Sequence, residues 1–97
     1  MYALAIIRYR RPIEEVLAHH DAHRAYLQDL KARGVLVASG PLEPRNGGAL
    51  LLRVPDAAIE AALDEVRNGD PYWKAGVAQY ELLAWNVKTG REDLDRA

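Results

Sequence analysis

The sequence has no cysteine, no long apolar stretch and almost no net charge, and each absence removes a class of function. Without cysteine the chain has no disulfide, no thiolate metal site and no cysteine nucleophile, and a reducing compartment suits it. No stretch approaches the roughly 20 apolar residues that cross a membrane. A net charge of −1 creates no long-range field that would attract nucleic acid or an acidic membrane. Residues 2–7 are too short for a signal-peptide core, so we expect a cytoplasmic domain.

The composition is that of an ordinary globular chain with one hydrophobic core. Hydrophobic residues make up 49% of the 97 positions and charged residues 28%, which fits a single small domain. We assign residues 1–87 to this domain. Residues 88–97 are charged and lack an apolar stripe, so we expect a loose C-terminal tail.

Four short apolar segments predict strands, at residues 2–7, 35–39, 49–54 and 77–87. Two segments with apolar residues at helical spacing predict helices, one from Pro12 to Gly34 and one from Pro55 to Gly69. The turn formers of residues 43–48 join the second and third strands in a hairpin. The first helix is expected to break near His20 and Asp21, with Asp21 as the N-cap of its second part.

This order, βαββαβ, predicts an α+β fold of the ferredoxin-like type. It consists of a four-stranded antiparallel sheet with two helices on one face. The first and third strands have few polar residues for the other face, which would leave an exposed apolar patch of several hundred Å². The simplest cover is a second copy of the chain, so we predict a homodimer packed sheet to sheet.

All the histidine of the chain lies between residues 19 and 23, inside the first helical segment. His23 falls at the edge of the apolar face, where an imidazole can be a core residue bonded to a backbone carbonyl, a metal ligand or a proton-transfer group. His19 and His23 are four residues apart, as in helical metal-binding pairs. His20 would not join that face, no cysteine is present, and carboxylates would have to complete the site, so we predict no metal.

Several other residues are candidates for the walls of a ligand pocket. Ser39 ends a strand and offers a hydroxyl, and Gly40 beside it permits a bend or a close backbone approach. Arg8, at the end of the first strand, either reaches an anionic substrate or is solvated. Tyr72 and Trp73 either stack on a planar ligand or close the end of the sheet. No cofactor-binding motif is present; in particular, the glycine pair at residues 47–48 lacks the lysine of a phosphate-binding loop.

Three segments carry a resemblance to a known family: residues 22–27 (AHRAYL), residues 39–42 (SGPL), and residues 70–72 (DPY) together with residues 75–77 (AGV). In their order and spacing they resemble the YciI-like (YCII-related) proteins of the dimeric α+β-barrel, ferredoxin-like superfamily. The resemblance implies an active site made of a histidine and an aspartate, which by position are His23 and Asp70. A common Arg-Pro pair before the histidine is replaced here by Asp21 and Ala22, so no role of that arginine is carried over.

Two functions from different classes remain open at this point. In the first, the protein is an enzyme in which His23 is the general acid or base and Asp70 orients it. Its substrate would be small, planar and hydroxylated or enolic, its reaction an elimination or isomerisation without cofactor, like the lyases and dehydrochlorinases among the relatives. In the second, Asp70 only caps a turn before Pro71, and the protein is a non-catalytic dimeric module that binds a small ligand or a partner protein, or serves as an accessory domain. Neither function involves nucleic acid or a membrane.

Overall fold

The computed structural model describes all of residues 1–97 and has an α+β architecture. The elements in chain order are β1 (Tyr2–Tyr9), α1 (Ile13–Leu17), α2 (His20–Ala32), β2 (Leu36–Pro41), β3 (Gly47–Arg53), α3 (Ile59–Gly69), α4 (Pro71–Lys74), β4 (Ala78–Trp85) and α5 (Arg91–Asp95). The four strands form one antiparallel sheet in the order β2-β3-β1-β4, which is the predicted ferredoxin-like topology. None of the helices has the length and apolar character needed to span a membrane.

The central strand β1 divides its side chains between two faces of the sheet. Ala3, Ala5 and Ile7 are buried in the core that the sheet forms with the helices. Because successive residues of a strand point to opposite faces, Leu4 and Ile6 lie on the other face of the sheet. We call this second side the open face. The core contains residues from the helices α1 to α4 as well as from all four strands.

The first helical segment is broken, but two residues before the predicted point. Helix α1 ends at Leu17, and α2 begins at His20 without a side-chain cap. Asp21 is therefore not the N-cap; it lies in the first turn of α2, where a carboxylate is still favourable. The break also interrupts the predicted apolar stripe, since Val16 is buried whereas Leu17 is 45% exposed. As a result, His23 lies about one turn inside α2 and is buried.

Two segments predicted as irregular contain short helices. The connector before the fourth strand holds α4, and the C-terminal residues expected as a loose tail hold α5. Helix α5 is attached by polar contacts, because the Tyr2 hydroxyl donates to Asp95 at 2.6 Å and the Arg53 guanidinium donates to the Leu94 carbonyl at 2.8 Å. An apolar stripe is not needed for such attachment, which is why the hydrophobic pattern did not indicate this helix.

A close approach between β1 and β3 requires glycine at position 47. A Cβ on Gly47 would lie 1.8 Å from the Ile7 carbonyl oxygen, whereas a Cβ on Gly40 would have no heavy atom within 4 Å. We expect Gly47→Ala to lower the free energy of unfolding by about 2 to 3 kcal/mol, because the strands must separate there. Gly40→Ala, the matched control, should leave it nearly unchanged. Urea unfolding measures both variants, and equal stability would contradict the close contact.

Candidate active site

His23 and Asp70, which are 47 residues apart in sequence, meet in the interior of the domain. The distance from His23 Nδ1 to Asp70 Oδ1 is 2.8 Å, and the two residues are 8% and 0% exposed. The same Oδ1 accepts the backbone N–H of Tyr72 at 2.9 Å, and Oδ2 accepts the Tyr80 hydroxyl. Three donors therefore converge on one fully buried carboxylate, as an ionised group removed from water requires.

Local sequence fixes the position of Asp70. Asp70 is the N-cap of α4, Pro71 is the first residue of that helix, and the carboxylate accepts the free N–H of Tyr72. Proline suits this position because its missing N–H would have no partner there. The turn cap and the contact with His23, considered as alternatives from the sequence, are thus properties of the same carboxylate.

The hydrogen bond to Asp70 determines which nitrogen of His23 carries the proton. A carboxylate can only accept, so Nδ1 is the protonated nitrogen and Nε2 of the neutral ring has a free lone pair. Nε2 has no hydrogen-bond partner within the protein. Every side-chain nitrogen or oxygen atom that is shielded from solvent does have such a partner, so Nε2 is not one of the shielded atoms. Nε2 is therefore accessible from outside the protein. The backbone-carbonyl partner considered for His23 is not observed; the carboxylate takes that place.

Tyr72 holds the plane of the imidazole. Its ring stacks on that of His23 with a centroid distance of 3.9 Å and an angle of 8° between the planes. The Tyr72 hydroxyl lies 3.1 Å from His20 Nδ1, and the Tyr9 ring packs edge-on against the Tyr72 ring, with 6.0 Å between the ring centres. The stack and the carboxylate together leave His23 little freedom to turn.

A cavity of about 300 Å³ opens beside this group, between α2, the loop after β2 and the sheet. His23 and three of the predicted pocket residues, Ser39, Gly40 and Tyr72, line it. Arg8 does not line it, so its predicted place in a substrate pocket is wrong; the solvated alternative fits, because the Arg8 side chain is 61% exposed. Arg8 follows Ile7 in the strand and so lies on the open face, where its guanidinium is 4.0 Å from Glu81.

Four polar residues of the cavity wall were not predicted as site residues. They are Tyr9, His20, Arg24 and Arg45. His20 lies three residues before His23 and four before Arg24 in α2, and this spacing would have indicated that His20 shares a side of the helix with each of them. Arg45 lies in the turn between β2 and β3, where no periodic pattern points to a cavity.

Trp73, which was a candidate for stacking on a ligand, and His19, which was a candidate metal ligand together with His23, lie outside the site. Trp73 does not line the cavity; it packs edge-on against Tyr80, with the Arg67 guanidinium 4.9 Å from its ring centre. His19 lies outside the cavity wall as well. No group of three or more His, Cys, Asp or Glu residues is arranged to hold a metal ion.

The tyrosines of the site give the protein an alkaline limit. Burial raises the pKa of Tyr72 to about 12, Tyr9 and Asp70 add to this, and Arg45 opposes it. Burial and the neighbouring Asp70 also raise the pKa of Tyr80. The unfolded chain loses these protons near pH 10 while the folded protein keeps them. Stability should therefore be retained below pH 10 and fall between pH 10 and about 12, for Tyr72 by up to about 2 kcal/mol.

Ultraviolet absorbance of tyrosinate, followed together with urea unfolding from pH 8 to 12, measures this effect. We expect part of the absorbance change to be delayed until the protein unfolds. Simultaneous titration of all five tyrosines near pH 10, with no loss of stability, would contradict the burial of these hydroxyls.

Comparison with known proteins agrees with this architecture. A search of curated proteins found no match. Among solved structures, the chain is similar to the 5-chloro-2-hydroxyhydroquinone dehydrochlorinase TftG from Burkholderia phenoliruptrix AC1100, in complex with 2,5-dihydroxybenzoquinone. The TM-score is 0.75 and the sequence identity 22%, over 91% of this chain and 96% of that chain, which establishes the shared fold. The family model described as YCII-related domain matches residues 1–86. The chain therefore belongs to the YCII-related family.

Proposed function

We propose that the protein is a cofactor-independent enzyme that transfers protons on a small, planar, hydroxylated or enolic substrate. The observation that carries the proposal is the buried His23–Asp70 hydrogen bond of 2.8 Å at the wall of a cavity. It leaves one lone pair, on Nε2, accessible to a ligand. A histidine that served only to fill the core would not need a fully buried carboxylate to set its tautomer.

The reaction class follows from what this pair can do. Nε2 takes a proton from a hydroxyl or carbon of the substrate, and the electron pair moves into the ring or enol system. In an elimination, the same electrons expel a leaving group from a neighbouring carbon. In an isomerisation, the imidazolium returns the proton to another carbon. Asp70 stabilises the imidazolium formed in between, and neither reaction needs an oxidant or a cofactor.

The family gives this proposal a substrate class. The similar structure TftG is named a dehydrochlorinase of a chlorinated hydroxyhydroquinone and holds a dihydroxybenzoquinone. At 22% identity this substrate is not transferred as such. A cavity of about 300 Å³ with the aromatic ring of Tyr72 in its wall is, however, of a suitable size for a single substituted ring.

Proton transfer can be tested without knowing the natural substrate. We would incubate the protein anaerobically in D₂O with 1,2,4-trihydroxybenzene and follow exchange of the ring protons by NMR, with imidazole at equal concentration as reference. A chlorinated analogue, assayed for chloride release, tests elimination. We expect exchange to be faster than with imidazole.

The outcomes separate the two classes of function. Binding of these rings without exchange or chloride release would favour a non-catalytic ligand-binding module. Neither binding nor exchange would contradict the proposed substrate class. We also propose a cytoplasmic location, with which a chain that needs no disulfide is compatible.

We further propose that two copies of the chain pack through their open faces. This side of the sheet is largely apolar, with residues Leu4, Ile6, Ala49, Leu51, Leu83 and Trp85. Leu83 and Trp85 are each 42% exposed, although they belong to the sheet. Exposed apolar side chains grouped on one face are typical of an interface, and a second copy of the chain offers a face of the same polarity.

Substitution on the open face tests the dimer. We expect Leu83→Lys to shift the protein from dimer to monomer at low micromolar concentration, because a charge would be buried without a partner. Leu17→Lys is the matched control, since Leu17 is 45% exposed but lies on α1, away from the open face. Light scattering measures the mass of each. A wild-type protein that is already monomeric would overturn the proposal.

A further inference from the structure

The cavity beside His23 is positively charged and contains no acid in its wall. Its ionisable residues are Tyr9, His20, His23, Arg24, Arg45 and Tyr72. The carboxylate that contacts His23, Asp70, is fully buried and already accepts three hydrogen bonds. The chain as a whole has a net charge of −1, so this charge is local to the cavity.

Arg24 and Arg45 differ from most other arginines of the chain. Six arginines form ion pairs or hydrogen bonds within the protein: Arg8, Arg11, Arg33, Arg53, Arg67 and Arg96. Arg24 and Arg45 have no such partner. They come from different parts of the chain, α2 and the turn after β2, and both line the cavity. Their guanidinium groups are available to an anion from outside.

Two further observations place positive charge where a ligand would lie. The charge of Arg45 lowers the pKa of Tyr72 against the effect of burial, and the Tyr72 hydroxyl lies 3.1 Å from His20 Nδ1 at the cavity wall. The first turn of the 13-residue helix α2 also borders the cavity through His20, and the positive end of the helix dipole favours an anion there.

We propose that Arg24 and Arg45 form an anion subsite, and that the ring accepted by this cavity carries a carboxylate. The planar guanidinium matches a carboxylate in a bidentate pair, which would set the ring in one orientation toward His23 Nε2. The hydroxylated ring in this inference rests on the proposed function, but the charge preference rests on the two arginines alone.

The test compares two ligands of nearly equal shape. Binding of 2,5-dihydroxybenzoate and of the neutral 2,5-dihydroxybenzamide is measured by calorimetry on the wild-type protein. A charge-assisted pair should make the carboxylate bind about 10- to 100-fold more tightly than the amide. 1,4-Dihydroxybenzene serves as a third ligand, to separate recognition of the carboxylate from recognition of an ionised ring hydroxyl.

Variants assign the preference to the subsite. Arg45→Gln and Arg24→Gln should each lose most of the carboxylate preference, and Arg45→Lys should restore part of it. Arg10→Gln is the matched control, because Arg10 also has no partner but does not line this cavity. Equal affinity for the carboxylate and the amide, no binding of either, or an unchanged preference in both glutamine variants would overturn the inference.

Ligand binding and proton exchange, measured side by side, distinguish this inference from the proposed function. His23→Gln removes the proposed base but leaves both arginines, so the carboxylate preference should persist in it. If the preference is present while the wild-type protein shows no proton exchange on any ring, the subsite stands and the proposed reaction fails. If neutral rings exchange protons but the carboxylate is not preferred, the proposed reaction stands and the anion subsite fails.

Discussion

Replacing His23 by glutamine is expected to lower the rate of proton exchange by about 100- to 10,000-fold, the usual contribution of a positioned general base. Glutamine can still donate a hydrogen bond to Asp70 Oδ1, so the carboxylate keeps a partner in place of the imidazole at 2.8 Å. It cannot accept a proton at neutral pH. The variant thus removes the chemistry while keeping much of the packing.

The control for this prediction is His19→Gln, which changes the same residue type outside the cavity wall. It should exchange protons at the wild-type rate. His23→Ala adds a second test, because it leaves a hole beside Tyr72 that free imidazole can enter, and added imidazole should restore part of the rate. Unchanged exchange in both His23 variants, with the fold intact by circular dichroism, would show that the base is another group.

Replacing Asp70 by alanine is expected to have the largest effect on stability, about 3 to 5 kcal/mol. Its carboxylate is fully buried and accepts from His23, Tyr72 and Tyr80, so the substitution leaves three donors without an acceptor and removes the cap of α4. For a domain of this size the loss corresponds to a fall in Tm on the order of 20 °C.

The exposed pair between Asp29 and Arg33 is the control, since Asp29→Ala should cost no more than about 1 kcal/mol. Asp70→Asn separates geometry from charge. Oδ1 accepts both His23 and the Tyr72 N–H, so the amide oxygen must take that place and the NH₂ group must face the Tyr80 hydroxyl. We expect this variant to fold, to keep the His23 proton on Nδ1 by ¹⁵N NMR, and to exchange protons more slowly. A fully stable Asp70→Ala variant would contradict this account of the network.

The strands were predictable because turn residues bound each apolar run, and the order of elements then left one simple topology. The faces of β1 were not predictable to the same degree. Tyr2 to Ile7 are apolar without alternation, so the sequence does not tell which of Ile7 and Arg8 faces the helices. This is the physical reason why Arg8 was expected in the cavity and lies on the open face instead.

The contact between His23 and Asp70 was expected from the family resemblance, since no local rule relates residues 47 positions apart. Sequence alone indicated that Asp70 would cap a turn, because a cap depends only on neighbouring residues such as Pro71. Arg45 was not identified because the turn formers that predict the hairpin do not specify on which side of the sheet a side chain of the turn lies. Contacts within one helix were therefore more accessible to prediction than contacts across the sheet.

The positions of the two tryptophans give the protein separate optical reporters. Trp73 packs on Tyr80, whose hydroxyl holds Asp70, while Trp85 lies at the end of β4 on the other side of the sheet. Fluorescence from a chain that keeps only Trp73 reports on the Tyr80–Asp70 contact, and fluorescence from a chain that keeps only Trp85 reports on the open face. The two sides of the sheet can thus be followed separately, each in its own variant and without an attached dye.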